Sequence, residues 1–351
     1  MVVNASPDPG KLRVAIVGCG LIGTRRAAEA AHHPATVVQK VVDSNRERAV
    51  KLADSYQAEA ENDWRQVVDD PSIDIVVVST PNAYLAPIAI AALKSGKHVL
   101  VEKPPGRNLE EAQRISAAVR TSRQRVLKVG FNHRYHPAIA RAYQLLTSGA
   151  IGEPINARAR YGHGGRPGYD REWRGNPELA GGGELTDQGV HLADLFNWML
   201  GVPRRAFCML QTAAWPIAPL EDNAFALLDF TSGCVASFHT SWTQWKNLFS
   251  LEIFGSRGAL CIEGLGGSYG PQRLIHYRRK PEGGVPDASE ESFDGPDLSW
   301  QLEWQDFVRA IEGGGTCLGT AAEGVAAMAT IDALYRSASA GAPVTVWAGP
   351  V

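Results

Sequence analysis

The sequence predicts an α/β protein: a Rossmann-type, doubly wound parallel sheet followed by a C-terminal α/β domain with a large, mostly antiparallel, open-faced sheet. From Leu12 to about Val129, short β-branched runs alternate with helical stretches, the pattern of a parallel sheet covered on both faces. The first run, Val14-Ala-Ile-Val-Gly-Cys-Gly-Leu-Ile-Gly23, passes from a buried strand through a glycine turn into a helix. Beyond Gly201 the strand-like runs lengthen and follow one another through turns such as Thr231-Ser-Gly233, as in an antiparallel sheet.

In chain order, residues 1–11 carry Asn4, Asp8 and two prolines and predict a short disordered tail. Strands are expected at Arg13–Val17, Val37–Val42, Ile73–Val78, His98–Val101 and Val126–Val129, giving a nucleotide-binding domain over 12–129. Residues 130–351 form the substrate-binding and oligomerisation domain. A helix at Pro137–Ser148 leads to a loop rich in Gly, Arg and aromatics (Tyr161–Asn176), then to a helix carrying Asp187 and His191. Strands follow at Ala206–Thr212, Asn223–Phe230, Cys234–Thr243, Phe249–Phe254 and Ala259–Glu263. Residues 264–298 read as a mobile loop around one strand (Arg273–Arg279), and amphipathic helices close the chain at Trp300–Ile311 and Ala321–Ala340. A sheet with helices on one face leaves the other open, which predicts a homodimer or homotetramer packed through it.

At 351 residues with 44% apolar side chains, the chain is long enough for two cores. Its 35 basic and 37 acidic residues leave a net charge of −2 without basic blocks, so neither nucleic acid nor an anionic membrane is an expected partner. Five cysteines (Cys19, Cys208, Cys234, Cys261, Cys317) without close pairs suggest neither a disulfide framework nor a cysteine zinc site. With no apolar leader or membrane-length run, a cytoplasmic location is expected.

In Gly18-Cys19-Gly20-Leu21-Ile22-Gly23 the first glycine permits the tight turn, the second lets backbone amides approach a pyrophosphate, and the third lets helix and strand pack closely. Asp43, twenty residues after Gly23 at the end of the next strand, suits ribose hydroxyls and repels a 2′-phosphate, favouring NAD. Arg46 and Arg48 nearby keep NADP open. Ser79-Thr80-Pro81-Asn82 follows a strand at the carboxyl edge where open sheets bind ligands. It fits an ordinary turn equally well. In Val101-Glu102-Lys103-Pro-Pro105, a lysine at a strand end with a proline-restricted backbone is placed to polarise a reacting hydroxyl.

Asp187 and His191, in Gly181-Gly-Gly-Glu-Leu-Thr-Asp187-Gln188-Gly-Val-His191, are four residues apart. On a helix that spacing lets the carboxylate set the imidazole tautomer while the ring meets a substrate hydroxyl. A solvated surface pair has the same spacing. Zinc suits it too, but no third ligand with credible spacing is present, so no metal is expected.

The glycine turn with Asp43, Glu102-Lys103-Pro104, and Gly181-Gly-Gly183 leading to Asp187 and His191 together resemble the Gfo/Idh/MocA oxidoreductase family (glucose–fructose oxidoreductase, inositol dehydrogenase and relatives), from about Arg13 to Val346. The resemblance implies an NAD(P)-dependent enzyme acting on a secondary hydroxyl of a sugar or cyclitol, with Lys103, Asp187 and His191 as its catalytic set. It also places Thr80, Pro81, Asn82, Glu102, Lys103, Asn132 (in Gly130-Phe-Asn-His-Arg134) and Arg174 near the cofactor. Leu85 stands where many members have histidine, and Thr186-Asp-Gln188 replaces a more apolar setting, so Gln188 is expected to face substrate.

Oxidising a secondary alcohol requires a proton acceptor on oxygen while the carbon is oxidised. His191 is read as that acceptor, Lys103 as the polarising cation and Asp187 as orienting partner or as acceptor for a substrate hydroxyl. The roles of His191 and Lys103 are exchangeable at this level. Tyr161, His163, Arg166, Tyr169 and Trp173 combine polar tips with flat bodies that suit a sugar ring, as do Trp242 and Trp245, at most one of which reaches the pocket. Arg166, Arg171 and Arg174 outnumber Asp170 and Glu172, which hints at an acidic or nucleotide-linked substrate. An aminosugar or aminocyclitol is the other option. Competing functions are a redox-neutral, NAD-dependent glycoside hydrolase and a non-catalytic dinucleotide-binding regulator.

Overall fold

The computed structural model describes residues 10–346 apart from 123 and 314. The expected disordered tail lies outside them up to residue 9. The chain divides into two compact units: residues up to Glu102 with Gln113–Gly130 and Trp300–Ala321, and Lys103–Ala112 with Phe131–Ser299 and the chain from Ala322.

The first unit is a six-stranded parallel sheet. Its elements run β1 (Leu12–Val17), α1 (Leu21–His32), β2 (Thr36–Val42), α2 (Arg46–Tyr56), β3 (Glu59–Glu61), α3 (Arg65–Val68), β4 (Ile75–Val78), α4 (Asn82–Lys94), β5 (His98–Val101), α5 (Leu109–Thr121) and β6 (Leu127–Val129). Their order across the sheet is β3-β2-β1-β4-β5-β6. The order reverses beside β1, creating the crevice where doubly wound folds bind ligands. Strands β4 and β5 are buried at every position, which is why, His98 apart, they read as Val/Ile/Leu runs. Strand β3 escaped the sequence reading because Glu-Ala-Glu carries no apolar signal.

Trp304, Phe307 and Val308 of the helix at Ser299–Ile311 join this core beside Val14, Ile16, Val38 and Leu100. Burying a side chain such as Phe307 or Val308 is worth about 1.5–3 kcal/mol. Arg26 of α1, fully buried, lies between Glu102 (2.6 Å) and Glu303 (2.5 Å). Two carboxylates around one guanidinium pin α1, the end of β5 and that helix to one another; removing any member leaves a buried charge unmatched.

The second unit is built on a nine-stranded sheet. Its elements are α6 (Pro137–Thr147), β7 (Pro154–Gly162), α7 (Pro177–Ala180), α8 (Val190–Leu200), β8 (Arg205–Gln211), β9 (Asn223–Asp229), β10 (Val235–Ser241), β11 (Leu248–Gly255), β12 (Gly258–Glu263), β13 (Gln272–Arg278), β14 (Asp287–Phe293), α10 (Ala321–Ala340) and β15 (Val344–Thr345), while α9 (Ser299–Ile311) belongs to the first unit from Trp300 onward. The sheet order is β14-β13-β12-β11-β7-β10-β9-β8-β15, antiparallel except for the β7–β10 pair.

Two strands correct the sequence reading. Strand β7, central in the sheet, alternates inward Ala157, Ala159 and Tyr161 with outward Asn156, Arg158 and Arg160. Its period is that of a strand, but alanine and arginine carry little β signal. Strand β14, a polar, mostly exposed run paired along its length with β13, replaces seven residues of the loop expected over 264–298.

Candidate active site

In the first unit the glycine turn is shaped by three different constraints. Gly18 sits at φ +99°, and a Cβ there would lie 2.5 Å from the Ser79 carbonyl oxygen. A Cβ on Gly23 would meet the Gly18 oxygen at 1.7 Å, so α1 packs on the turn only through glycine. A Cβ on Gly20 would meet nothing within 4 Å. The fold itself therefore does not require that glycine, and its open face leaves room for a ligand to back onto the turn and the start of α1.

Asp43, at the end of β2, accepts from the Cys19 amide through Oδ2 and from the Asn45 amide through Oδ1, both at 2.8 Å. These bonds orient the carboxylate beside the turn. Cys19 is buried, and burial together with the Asp43 charge pushes its thiol up to about 12, so it is inert at neutral pH. The Thr80 hydroxyl, in the turn after β4, is buried without a partner among the described residues. The open face of Gly20, the oriented Asp43 and the orphaned Thr80 hydroxyl fit a dinucleotide. Glu102, expected near the cofactor, has its carboxylate engaged by Arg26.

The second unit holds Lys103, Asp187 and His191, the residues expected to do acid–base chemistry. Lys103 Nζ donates to Asp187 Oδ1 at 2.9 Å and to its backbone oxygen at 2.6 Å. Arg174 Nε donates to Asp187 Oδ2 at 2.9 Å. Burial alone would raise the Asp187 carboxyl, but the two cations hold it well below the usual carboxylate range. Asp187 therefore does not orient His191, as its spacing suggested. It lies in a π-helical turn (Leu185–Gly189) ahead of α8, and two cations outcompete a neutral imidazole for its oxygens. Arg174, expected at the cofactor, is the second of those cations, and its guanidinium lies over Trp173 at 4.4 Å.

His191, on α8, is buried, and burial followed by the Lys103 charge drives its ring well below the ordinary histidine value. Its ring stacks on His133 with centroids 3.7 Å apart. Tyr161 lies tilted against His133 and edge-on to His191. Gln188 Nε2 donates to the Tyr269 hydroxyl at 3.3 Å, and Tyr269 packs on Tyr161 at 5.5 Å. His163 Nδ1 accepts from the Gly165 amide at 2.9 Å, which leaves Nε2–H as its outward donor. Among the described residues, no group of three His, Cys, Asp or Glu side chains is arranged to hold a metal ion.

Two family models match this chain, one described as an oxidoreductase family with NAD-binding Rossmann fold over residues 12–131 and one as the GFO/IDH/MocA C-terminal domain over 139–261. A 1,5-anhydro-D-fructose reductase from Ensifer adhaerens is 31% identical, covering 81% of this chain and 83% of its own length. The chain belongs to the GFO/IDH/MocA oxidoreductase family. Members are oxidoreductases acting on CH–OH groups through an NAD-binding Rossmann domain.

A levoglucosan dehydrogenase from Pseudarthrobacter phenanthrenivorans is 28% identical over 93% of this chain and 96% of its own. The structure of levoglucosan dehydrogenase with NADH and levoglucosan superposes with a TM-score of 0.86 at 26% identity, covering 96% of this chain and 99% of that one. GenD2 from gentamicin A biosynthesis, in complex with NAD, gives 0.83 at 26%, covering 99% and 100%.

Within this family frame, the second unit brings together Lys103, Asp187, His191 and Arg174, with Tyr161 and Gln188 around them. It separates others. Arg166 is paired through both terminal contacts with Glu172 on the surface. With Arg174 held by Asp187, two of the three arginines of this loop are paired with carboxylates. Trp242 is buried against Tyr169 in a small core with Ile217 and Leu220; Trp245 is 71% exposed. Asn132 is buried between His133 and Ser299.

Sequence reasoning missed Tyr269, the stacking role of His133, and Glu184. Tyr269 is the single aromatic in Gly264-Leu-Gly-Gly-Ser-Tyr-Gly270, whose four glycines all have positive φ; that composition is the one signal available. Glu184 is fully buried, and burial with the Asp187 charge raises its carboxyl well above the usual range. It was read past because it sits inside the glycine motif.

Proposed function

We propose that this protein is an NAD-dependent dehydrogenase that oxidises, or in reverse forms, a secondary hydroxyl on a sugar, cyclitol or sugar-containing metabolite, with His191 as proton acceptor and Lys103 as the polarising cation. The observation that carries the reading is the division of charge in the second unit. Lys103 is ion-paired with Asp187, whereas His191 is kept neutral by burial. A neutral imidazole accepts a proton; a fixed ammonium stabilises negative charge developing on the substrate oxygen. This division supports the reading of His191, of the two, as acceptor. Asp187 acts through Lys103 and Arg174, holding the ammonium in place.

When bound, NAD supplies the two-electron acceptor. Gly18–Gly23 and Asp43 hold it, with Thr80–Asn82 at the sheet edge. Asp43 faces ribose hydroxyls better than a phosphate, so NAD is the preferred cofactor over NADP. Tyr161, His163, Gln188 and Trp173 surround the sugar, with Arg166 at the rim.

The test is reduced-nicotinamide absorbance on mixing the protein and NAD with cyclitols, sugars, sugar nucleotides and aminoglycosides, with Lys103→Met as control. A signal from one substrate class that the variant lacks supports the reading. NAD binding with release of an aglycone and no net NADH would instead establish the redox-neutral hydrolase. Tighter binding of NADP than NAD would overturn the cofactor preference.

We also propose that the second unit's open sheet face packs against another copy of the chain. Phe225, Leu227 and Met209 are 46%, 49% and 63% exposed there, bordered by Arg158, Arg160 and Glu252. An apolar patch with a charged rim is the makeup of a subunit interface.

A further inference from the structure

A catalytic imidazole needs something to fix its plane, and the expected partner, Asp187, is engaged elsewhere. His191 Nδ1 is buried and has no hydrogen-bond partner among the described residues. What does hold the ring is a face. His133 stacks on it with centroids 3.7 Å apart and planes 25° from parallel.

His133 is itself tightly placed. Its Nδ1 lies 3.2 Å from Asn132 Oδ1, and the Asn132 amide nitrogen donates to Ser299 Oγ at 3.0 Å. With the amide so oriented, its oxygen faces His133 and the proton sits on Nδ1. Tyr161 at 5.1 Å, His136 at 5.4 Å and Phe249 at 6.0 Å enclose the remaining edges.

We propose that His133 is the positioning residue for His191: its ring, locked by Asn132 and Ser299, holds the base by stacking, taking the place of the carboxylate that usually orients a catalytic histidine. The proposal rests on the reading of His191 as proton acceptor. Two imidazolium rings at this spacing repel strongly in a water-poor site, so the stack carries at most one proton. His133 does not touch the reacting atoms. It sets the angle at which His191 meets the substrate oxygen, and an error of about 1 Å there costs roughly 10²-fold in rate.

The experiment compares His133→Ala and His133→Phe in the full chain. Turnover is measured with NAD and levoglucosan, myo-inositol or the active member of the panel above, and His191 ring order by side-chain NMR relaxation without substrate. Expected are a kcat roughly 10²-fold lower in the alanine variant, with KM and NAD affinity within about threefold. The His191 signal becomes mobile, and imidazole added to the alanine variant restores turnover. Phenylalanine, which keeps a flat ring but no nitrogens, returns most of kcat and the rigid signal. An alanine variant with normal kcat and an ordered His191 overturns the proposal. So does a folded phenylalanine variant as impaired as alanine, since the nitrogens rather than the stack would then matter. A wild-type protein that turns over nothing overturns the base assignment, while the relaxation data still decide whether His133 holds the ring.

Discussion

Replacing Asp187 by asparagine separates the spacing-based reading of this residue from the one its contacts support. The substitution keeps the shape and one acceptor but removes the charge between Lys103 and Arg174, both at 2.9 Å. Deleting one partner of a buried ion pair costs about 3–5 kcal/mol. The Lys103 and Arg174 side chains are 18% and 25% exposed, so partial rehydration brings the expected loss to about 2–3 kcal/mol. The released ammonium moves off the substrate oxygen, and kcat is expected to fall about 10²–10³-fold.

The assays are urea unfolding and NADH formation, with NAD affinity as control. A double-mutant cycle on unfolding free energy adds the decisive comparison. Asp187→Asn should couple to Lys103→Met by more than about 1 kcal/mol and to His191→Ala by much less. The reasoning is refuted by stability within about 1 kcal/mol of wild type together with kcat within about threefold, or by coupling to His191 instead of Lys103.

Three further outcomes follow from the same coordinates. Gly20→Ala should fold normally and lose NAD affinity, measured by tryptophan fluorescence titration, whereas Gly23→Ala, with its Cβ 1.7 Å from the Gly18 oxygen, should fail to fold or lose several degrees of melting temperature. His133, His136 and His191 are all pulled below the ordinary histidine value, primarily by burial, His136 to about 4. Below about pH 6.5 the unfolded chain protonates first, so stability should fall with pH by about 1.4 kcal/mol per unit for each ring until its folded value is reached, and His133→Phe should remove one share of that slope in urea titrations. Met209→Glu with Leu227→Glu on the open sheet face should shift sedimentation from oligomer to monomer; wild type sedimenting as a monomer at micromolar concentration would refute the interface.

The parallel half of the fold was largely legible because its strands, apart from β3, are short, mainly apolar runs that alternate with helical stretches. Gly18 and Gly23 were legible for the same local reason, since a tight turn and a close helix approach exclude a side chain whatever surrounds them. Strand β7 was not, because its alternating alanines and arginines become strand-like only when β10 and β11 pair with it on either side. Strand β14 likewise exists by virtue of β13.

The groups proposed to react were named from sequence: Lys103 after a strand, Asp187 and His191 at close spacing, and a glycine turn with Asp43. Which group touches which was decided by tertiary structure. Asp187 binds Lys103 and Arg174, 84 and 13 residues away, and His191 rests on His133 instead of on its neighbour four positions back. Spacing along a helix shows which partners are within reach, but a carboxylate's choice among them depends on charges that the chain brings in from elsewhere.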